Sequence, residues 1–205
     1  MKKLKSSLVN MLLSLTLIAS IMAGTLAFVY QITKDPIRQT SIKTINDAVK
    51  EVVPAFDNDP SKEAYKLEVE GSTDSLIFYP AKKDGELVGT AVSTFTDRGF
   101  AGHFTVMVGF LPDGTIYNTK VLSHKETPGL GAKMSEAKFH DQFNGKNPEK
   151  ITMKVKKDGG DIDAITAATI SSRAYCDALA RAYLAYTKHD TDDGESGATK
   201  GGKHE

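Results

Sequence analysis

Tryptophan is absent from this 205-residue chain, and cysteine occurs once, at Cys176. One thiol cannot close an intramolecular disulfide or supply the thiolate set of an iron–sulfur or cysteine-rich zinc site. A surplus of charge is missing too, since 26 Lys plus Arg stand against 26 Asp plus Glu. Nucleic-acid binding needs an excess of cations on one face, so no nucleic-acid partner is expected. The histidines (His103, His124, His140, His189 and His204) never take the i, i+4 spacing of a helical zinc site. Neither a metal centre nor a catalytic residue is expected.

Charge is lacking altogether from Leu8 to Tyr30, LVNMLLSLTLIASIMAGTLAFVY. As a helix this stretch would be ~34 Å long, enough to cross a hydrocarbon core of ~30 Å. Its polar members, such as Ser14, Thr16 and Ser20, can bond back to their own helix and do not forbid insertion. Lys2, Lys3 and Lys5 precede it without an acidic residue among them. The positive-inside rule therefore keeps residues 1–7 in the cytoplasm and exports everything after Tyr30. A cleaved signal peptide would have a shorter apolar region, ~7–15 residues, followed by a small-x-small site. Ile21-Met22-Ala23 and Gly24-Thr25-Leu26 match that site poorly, so the expectation is an uncleaved anchor over 8–30.

Asp35-Pro36 reads as a fresh helix start, with Asp at the N-cap and Pro at the first helical position. Ile37, Ile45, Ala48, Val49 and Val52 follow at helical spacing, and Pro54 ends the run, giving a membrane-proximal helix and linker over 31–60. From Ala64 the period changes to two. Tyr65, Leu67 and Val69 alternate with polar residues; Leu76–Tyr79, Glu86–Phe95, Phe104–Phe110 and Thr115–Ser123 complete an antiparallel meander. Asp84-Gly85 and Pro112-Asp113-Gly114 are its turns. Eight of the 17 glycines fall between Gly85 and Gly131, more than turns require. Extra glycine of this kind marks close backbone approach. Ser135 caps a short helix to Phe143, and Ile151–Lys157 reads as one more strand. A last helix runs from Thr169 to about Tyr186, with Cys176 as a small buried side chain. The composition from 188 to 205 is nearly free of apolar residues and reads as a disordered tail. The fold class is α+β, with one exported domain over 61–187.

Two stretches carry chemistry. The first is His124-Lys125-Glu126-Thr127-Pro128-Gly129-Leu130-Gly131, where Pro-Gly fits the centre of a type II turn. A carboxylate, an imidazole, a hydroxyl and an isolated leucine crowd around that turn. A flat heteroaromatic ligand wants this mixture, with an apolar side chain on its face and polar groups at its edge. The second is Asp163-Ala164-Ile165-Thr166-Ala167-Ala168-Thr169-Ile170-Ser171-Ser172, which opens the last helix. Its hydroxyls suit an N-cap. They equally suit a phosphate, because a helix N-terminus offers unpaired N–H groups and the positive end of a dipole.

Together the two stretches resemble the FMN-binding domain family and, within it, the G component of Rnf electron-transport complexes. Asp-x-Ile-Thr-Ala-Ala-Thr-Ile-Ser is similar to the flavinylation motif Ser-Gly-Ala-Thr-x-Ser/Thr, and His-x-Glu-Thr-Pro-Gly-Leu-Gly to its companion motif. The resemblance implies an FMN bound through a phosphoester to Thr169, with Thr166, Ala168 and Ser171 around it. It also places His124, Glu126, Thr127, Leu130 and Gly131 by the ring; Glu126 and Thr127 are candidates for its edge and Leu130 for its face. Ala167 departs from the glycine common in the family, and a positive φ there would cost ~1 kcal/mol or more. Ser196-Gly197-Ala198-Thr199 spells the motif more literally but lies in the tail, with no helix after it.

The function implied is electron relay by covalent FMN outside the cytoplasm of a bacterial membrane. The resembling complex moves electrons between ferredoxin and NAD+ and couples this to Na+ or H+ translocation. Its other membrane subunits and a separate flavin transferase are the implied partners. The corresponding subunit of Na+-translocating NADH:quinone reductase shares both motifs but is longer. A non-redox anchored binding domain is the alternative from a different class.

Overall fold

The apolar run that begins at Leu8 folds as helix, and the helix does not stop at Tyr30. In the computed structural model, which describes residues 8–69 and 74–198, α1 is continuous from Leu8 to Val52. The three N-terminal lysines and the tail from Thr199 lie outside the described residues. The chain divides into two units, residues 1–44 and 45–205. In the first unit the apolar side chains from Leu8 to Tyr30 are not covered by protein. Among the described residues this is the one helix long and apolar enough to cross a membrane.

The fresh start expected at Asp35-Pro36 is absent, because Pro36 lies inside α1. Proline removes one N–H bond and crowds the preceding turn. That is a local penalty, and the helical turns on both sides are already propagated through it. Residues 31–60 therefore do not open with a helix of their own.

In the second unit the period-two segments form an antiparallel sheet in sequence order. Its strands are β1 (Tyr65–Glu68), β2 (Ser75–Lys83), β3 (Glu86–Gly99), β4 (Gly102–Phe110) and β5 (Ile116–Ser123). This is the meander expected. Asp84 and Gly85, both at positive φ, turn β2 into β3, as a tight hairpin requires. Phe100-Ala101 alone join β3 to β4, which pair up to Gly99 and Gly102.

Both faces of the sheet are covered. One presents Phe78, Val92, Phe104, Val106 and Val108 to the core that α3 (Thr169–Ala198) shares through Tyr175, Leu179 and Ala182. The other presents Tyr79, Ala81, Ala91 and Met107 to the end of α1, where Ala48, Val49, Val52 and Val53 are buried. Gly109 makes that seat possible, since a Cβ there would stand 1.6 Å from the Val52 carbonyl oxygen. Cys176 is buried as expected, and burial pushes its thiol pKa up to about 12, leaving it an inert small apolar group.

Three expectations are corrected. The stretch from Ser135 to Phe143 is not one helix capped by Ser135. A 3-10 turn spans Gly131–Ser135, α2 spans Ala137–His140, and a second 3-10 turn spans Asp141–Phe143. Glu136, with extended backbone, takes the N-cap place expected of Ser135. The Asn144 N–H bonds to Asp141 O, an i to i+3 bond that tightens the end into a 3-10 turn. Ile151–Lys157 is not a strand either. It makes an isolated bridge from Val155 to Ile162 and then a 3-10 turn, Lys156–Asp158. Its backbone groups bond within their own loop, for example Lys156 N–H to Ile162 O at 2.8 Å. Finally, α3 continues past Tyr186 to Ala198, through residues expected to be disordered. No proline interrupts the sequence there, and extending an existing helix costs little per residue.

Candidate functional site

The N-terminus of α3 is fixed by its own first turn. Ser172 Oγ accepts the Ile165 N–H at 2.9 Å and donates to the Ala168 carbonyl at 3.0 Å. The Ser172 N–H also bonds to Ala168 O, at 3.1 Å. The N–H groups of Thr169, Ile170 and Ser171 precede any helical carbonyl that could take them. Ala167 reaches this turn with φ at +61°, the left-handed region in which an alanine costs ~1 kcal/mol or more. Thr169, half-buried, is the first residue of the helix.

The Pro-Gly turn faces it. Gly129 has φ +76°, and Thr127 O accepts the N–H groups of Leu130 and Ala132 at 3.1 and 3.2 Å. That is the geometry a type II turn needs. The two stretches meet across a cavity of about 300 Å³, with Glu126, Thr127, Leu130 and Gly131 on one side and Ala168, Thr169 and Ser171 on the other. Glu126 is only 5% exposed, and its Oε2 accepts the Ser171 hydroxyl at 2.9 Å across 45 residues of sequence.

Two sequence candidates are placed elsewhere. His124 Nδ1 accepts the Glu126 N–H at 3.2 Å, so it shapes the turn and does not line the cavity. Thr166 faces a separate groove of about 210 Å³ beside Lys133, Glu136 and Gln142. Three further residues line the cavity without being sequence candidates: Phe100, Ala167 and Ile170. Only Phe100 comes from outside both motifs, and its sole signal in the sequence is its place between Gly99 and Gly102.

Arg173, the cation nearest in sequence to Thr169, is already committed. It donates from Nε and Nη2 to the two Asp158 carboxylate oxygens, both at 2.6 Å. This bidentate partner holds the Asp158 carboxyl below its usual range. A larger hollow of about 590 Å³ lies along α3 on the Arg173 side. Its arginines are paired, Arg173 with Asp158 and Arg98 with Asp177 at 3.2 Å, so neither is ready for a charged ligand.

A family profile of the FMN-binding domain matches residues 99–184. The G component of the ion-translocating oxidoreductase complex of Erwinia tasmaniensis is 34% identical over 181 residues, which cover 83% of this chain and 86% of that protein. The chain belongs to the family of G components of ion-translocating oxidoreductase complexes. The G component of Shewanella piezotolerans is 34% identical over 195 residues, covering 90% of this chain and 92% of its own. Among solved structures, the C component of the Na(+)-translocating NADH-quinone reductase from Parabacteroides distasonis is similar at 24% identity and a TM-score of 0.47. The match covers 67% of this chain and 78% of that one.

The residues of this chain fit FMN. Phe100, Leu130 and Ile170 stand 68%, 40% and 48% exposed around the cavity and offer apolar surface to a flat ring. Thr127 offers a hydroxyl at its edge, whereas the hydroxyl of buried Ser171 is already donated to Glu126. Ala168, with nothing beyond Cβ, leaves the N–H groups of the first helical turn open to a phosphate.

Proposed function

We propose that this chain is the membrane-anchored electron relay of an Rnf-type complex, holding FMN through a phosphoester on Thr169. The observation that carries this is the position of Thr169. It begins α3 and lines the same cavity as Glu126–Gly131. Bound FMN would supply a ring that exchanges electrons singly between carriers. A phosphate on Thr169 Oγ1 would lie beside the first N–H groups of α3, where the helix dipole favours negative charge. Arg173 does not supply that balance, being held by Asp158. Leu130 and Ile170 would pack on the ring and shield it from water, and Thr127 would bond to its edge. The partners are the other membrane subunits of the complex, which exchange electrons between ferredoxin and NAD+ and translocate Na+ or H+.

A threonine hydroxyl is a poor nucleophile at neutral pH, so a separate flavin transferase makes the bond. The Thr169 oxygen attacks the flavin-bearing phosphorus of a flavin nucleotide phosphoanhydride, the anhydride bond breaks, and the leaving phosphate takes up the hydroxyl proton. The full chain produced with that enzyme should give a fluorescent band after denaturation and weigh more by FMN less one water. Without the transferase the band should be absent. A colourless protein under both conditions would overturn the reading.

Lys2, Lys3 and Lys5 before the uncharged span support an FMN-binding domain outside the cytoplasm. Alkaline phosphatase fused to the C-terminus should be active, and a reporter that needs the cytosol should be dark. The opposite pattern would put the flavin on the wrong side for this relay.

A further inference from the structure

The tip of the β3–β4 hairpin holds a residue that does no work in the core. Two-residue turns favour glycine, asparagine or aspartate. Here the turn carries Phe100, which is 68% exposed and outside both buried clusters, yet lines the cavity with Leu130 and Thr169. The tip is also fastened. Ala101 donates its N–H to Glu126 Oε1 at 3.2 Å, while Ser171 holds Oε2. The carboxylate is walled in on both sides. A Cβ on Gly99 would stand 2.6 Å from Oε1, and one on Gly131 would stand 2.3 Å from Oε2. Among the described residues no Lys or Arg forms an ion pair with Glu126. A buried charge without a counter-ion is costly unless hydrogen bonds satisfy it, and these bonds join the hairpin tip to the first turn of α3.

We propose that Phe100 forms a face of the flavin-ring site and that Glu126 is the residue that positions it. This rests on FMN being attached at Thr169. Phe100 then gives the ring an aromatic neighbour, and Glu126 acts through the hairpin by holding the tip against α3.

The chain has no tryptophan, so one can be introduced as a local probe. An indole in contact with the ring quenches flavin emission. In the full-length, transferase-loaded chain, Phe100→Trp should lower native flavin emission about fivefold, as stacking contact requires. Emission after denaturation should stay at the wild-type level. Tyr117→Trp, exposed at the far end of β5, should leave native emission unchanged. Phe100→Ala should open the ring to iodide quenching. Adding Glu126→Ala to Phe100→Trp should restore the emission. Glu126→Gln, which keeps an acceptor for the Ala101 N–H, should preserve the quench. Unchanged emission in Phe100→Trp with a full denatured band overturns the role of Phe100. Failure of Glu126→Ala to restore emission overturns the positioning role. A denatured wild-type band without flavin overturns instead the attachment on which both rest.

Discussion

Thr169→Ala should remove the covalent flavin altogether, so that the denatured protein shows no fluorescent band even when the transferase is present. The effect is all-or-none because the phosphoester needs the Thr169 oxygen, and the neighbouring hydroxyls are differently placed. Ser171 is buried and bonded to Glu126, Ser172 is buried and bonded within the turn, and Thr166 faces another groove. Thr199→Ala should leave the band untouched. Ser196–Ala198 lie on α3 far from its first turn, and Thr199 is outside the described residues. Open N–H groups belong to the first turn of a helix, so the residues along Ser196–Ala198 offer a phosphate no such seat. In-gel fluorescence and the mass of the Thr169 peptide read both variants. Flavin lost from Thr199→Ala and kept by Thr169→Ala would show that the more literal motif is the acceptor, and that the helix start plays no part.

Gly109→Ala should destabilise the second unit by about 3 kcal/mol, the upper end of ordinary overpacking. The added methyl would fall 1.6 Å from the Val52 carbonyl oxygen and press on Val53. Its neighbour there is backbone, which cannot rotate away as a side chain would. Relief requires the end of α1 to lift from Tyr79, Ala91 and Met107, exposing apolar surface that is now buried. For a chain of this length that corresponds to a melting temperature lower by about 6–12 °C. Thermal unfolding of the detergent-solubilised chain, followed by circular dichroism, measures it. A shift below about 2 °C would mean that α1 does not depend on this seat.

The sheet was legible because its signal is local. Alternation such as Phe104, Val106, Val108 and Phe110 names both a strand and its buried face. Ile151, Met153 and Val155 show the same alternation yet form no strand. Period two reports which side faces the core, and it cannot report whether a sheet edge is free to pair. Pro36 misled for a related reason, since a start signal carries weight only where the preceding residues are not already helical. At the site, both motifs were visible as hydroxyls, glycines and a proline at telling spacings. Phe100 was not, because only the folded hairpin brings it to Leu130 and Thr169. The bonds of Glu126 were hidden in the same way, their partners lying 25 residues before it and 45 after. Ala167 was legible only as a condition. The sequence could state the cost of a positive φ, and the fold supplied the angle.

The exposed turn ahead of α3 also bears on the order of events in biogenesis. Thr166 and Ala167 are open to solvent, and Thr169 is half-buried in a fold whose sheet and helices are complete around it. Its cavity exists only after Glu126–Gly131 and Ala168–Ser171 have met. The proposed transferase would therefore meet this site on the finished domain and would not need to unfold it. Chains that fail to fold do not present the site in this form, so the proposed flavin attachment would double as an inspection step before assembly.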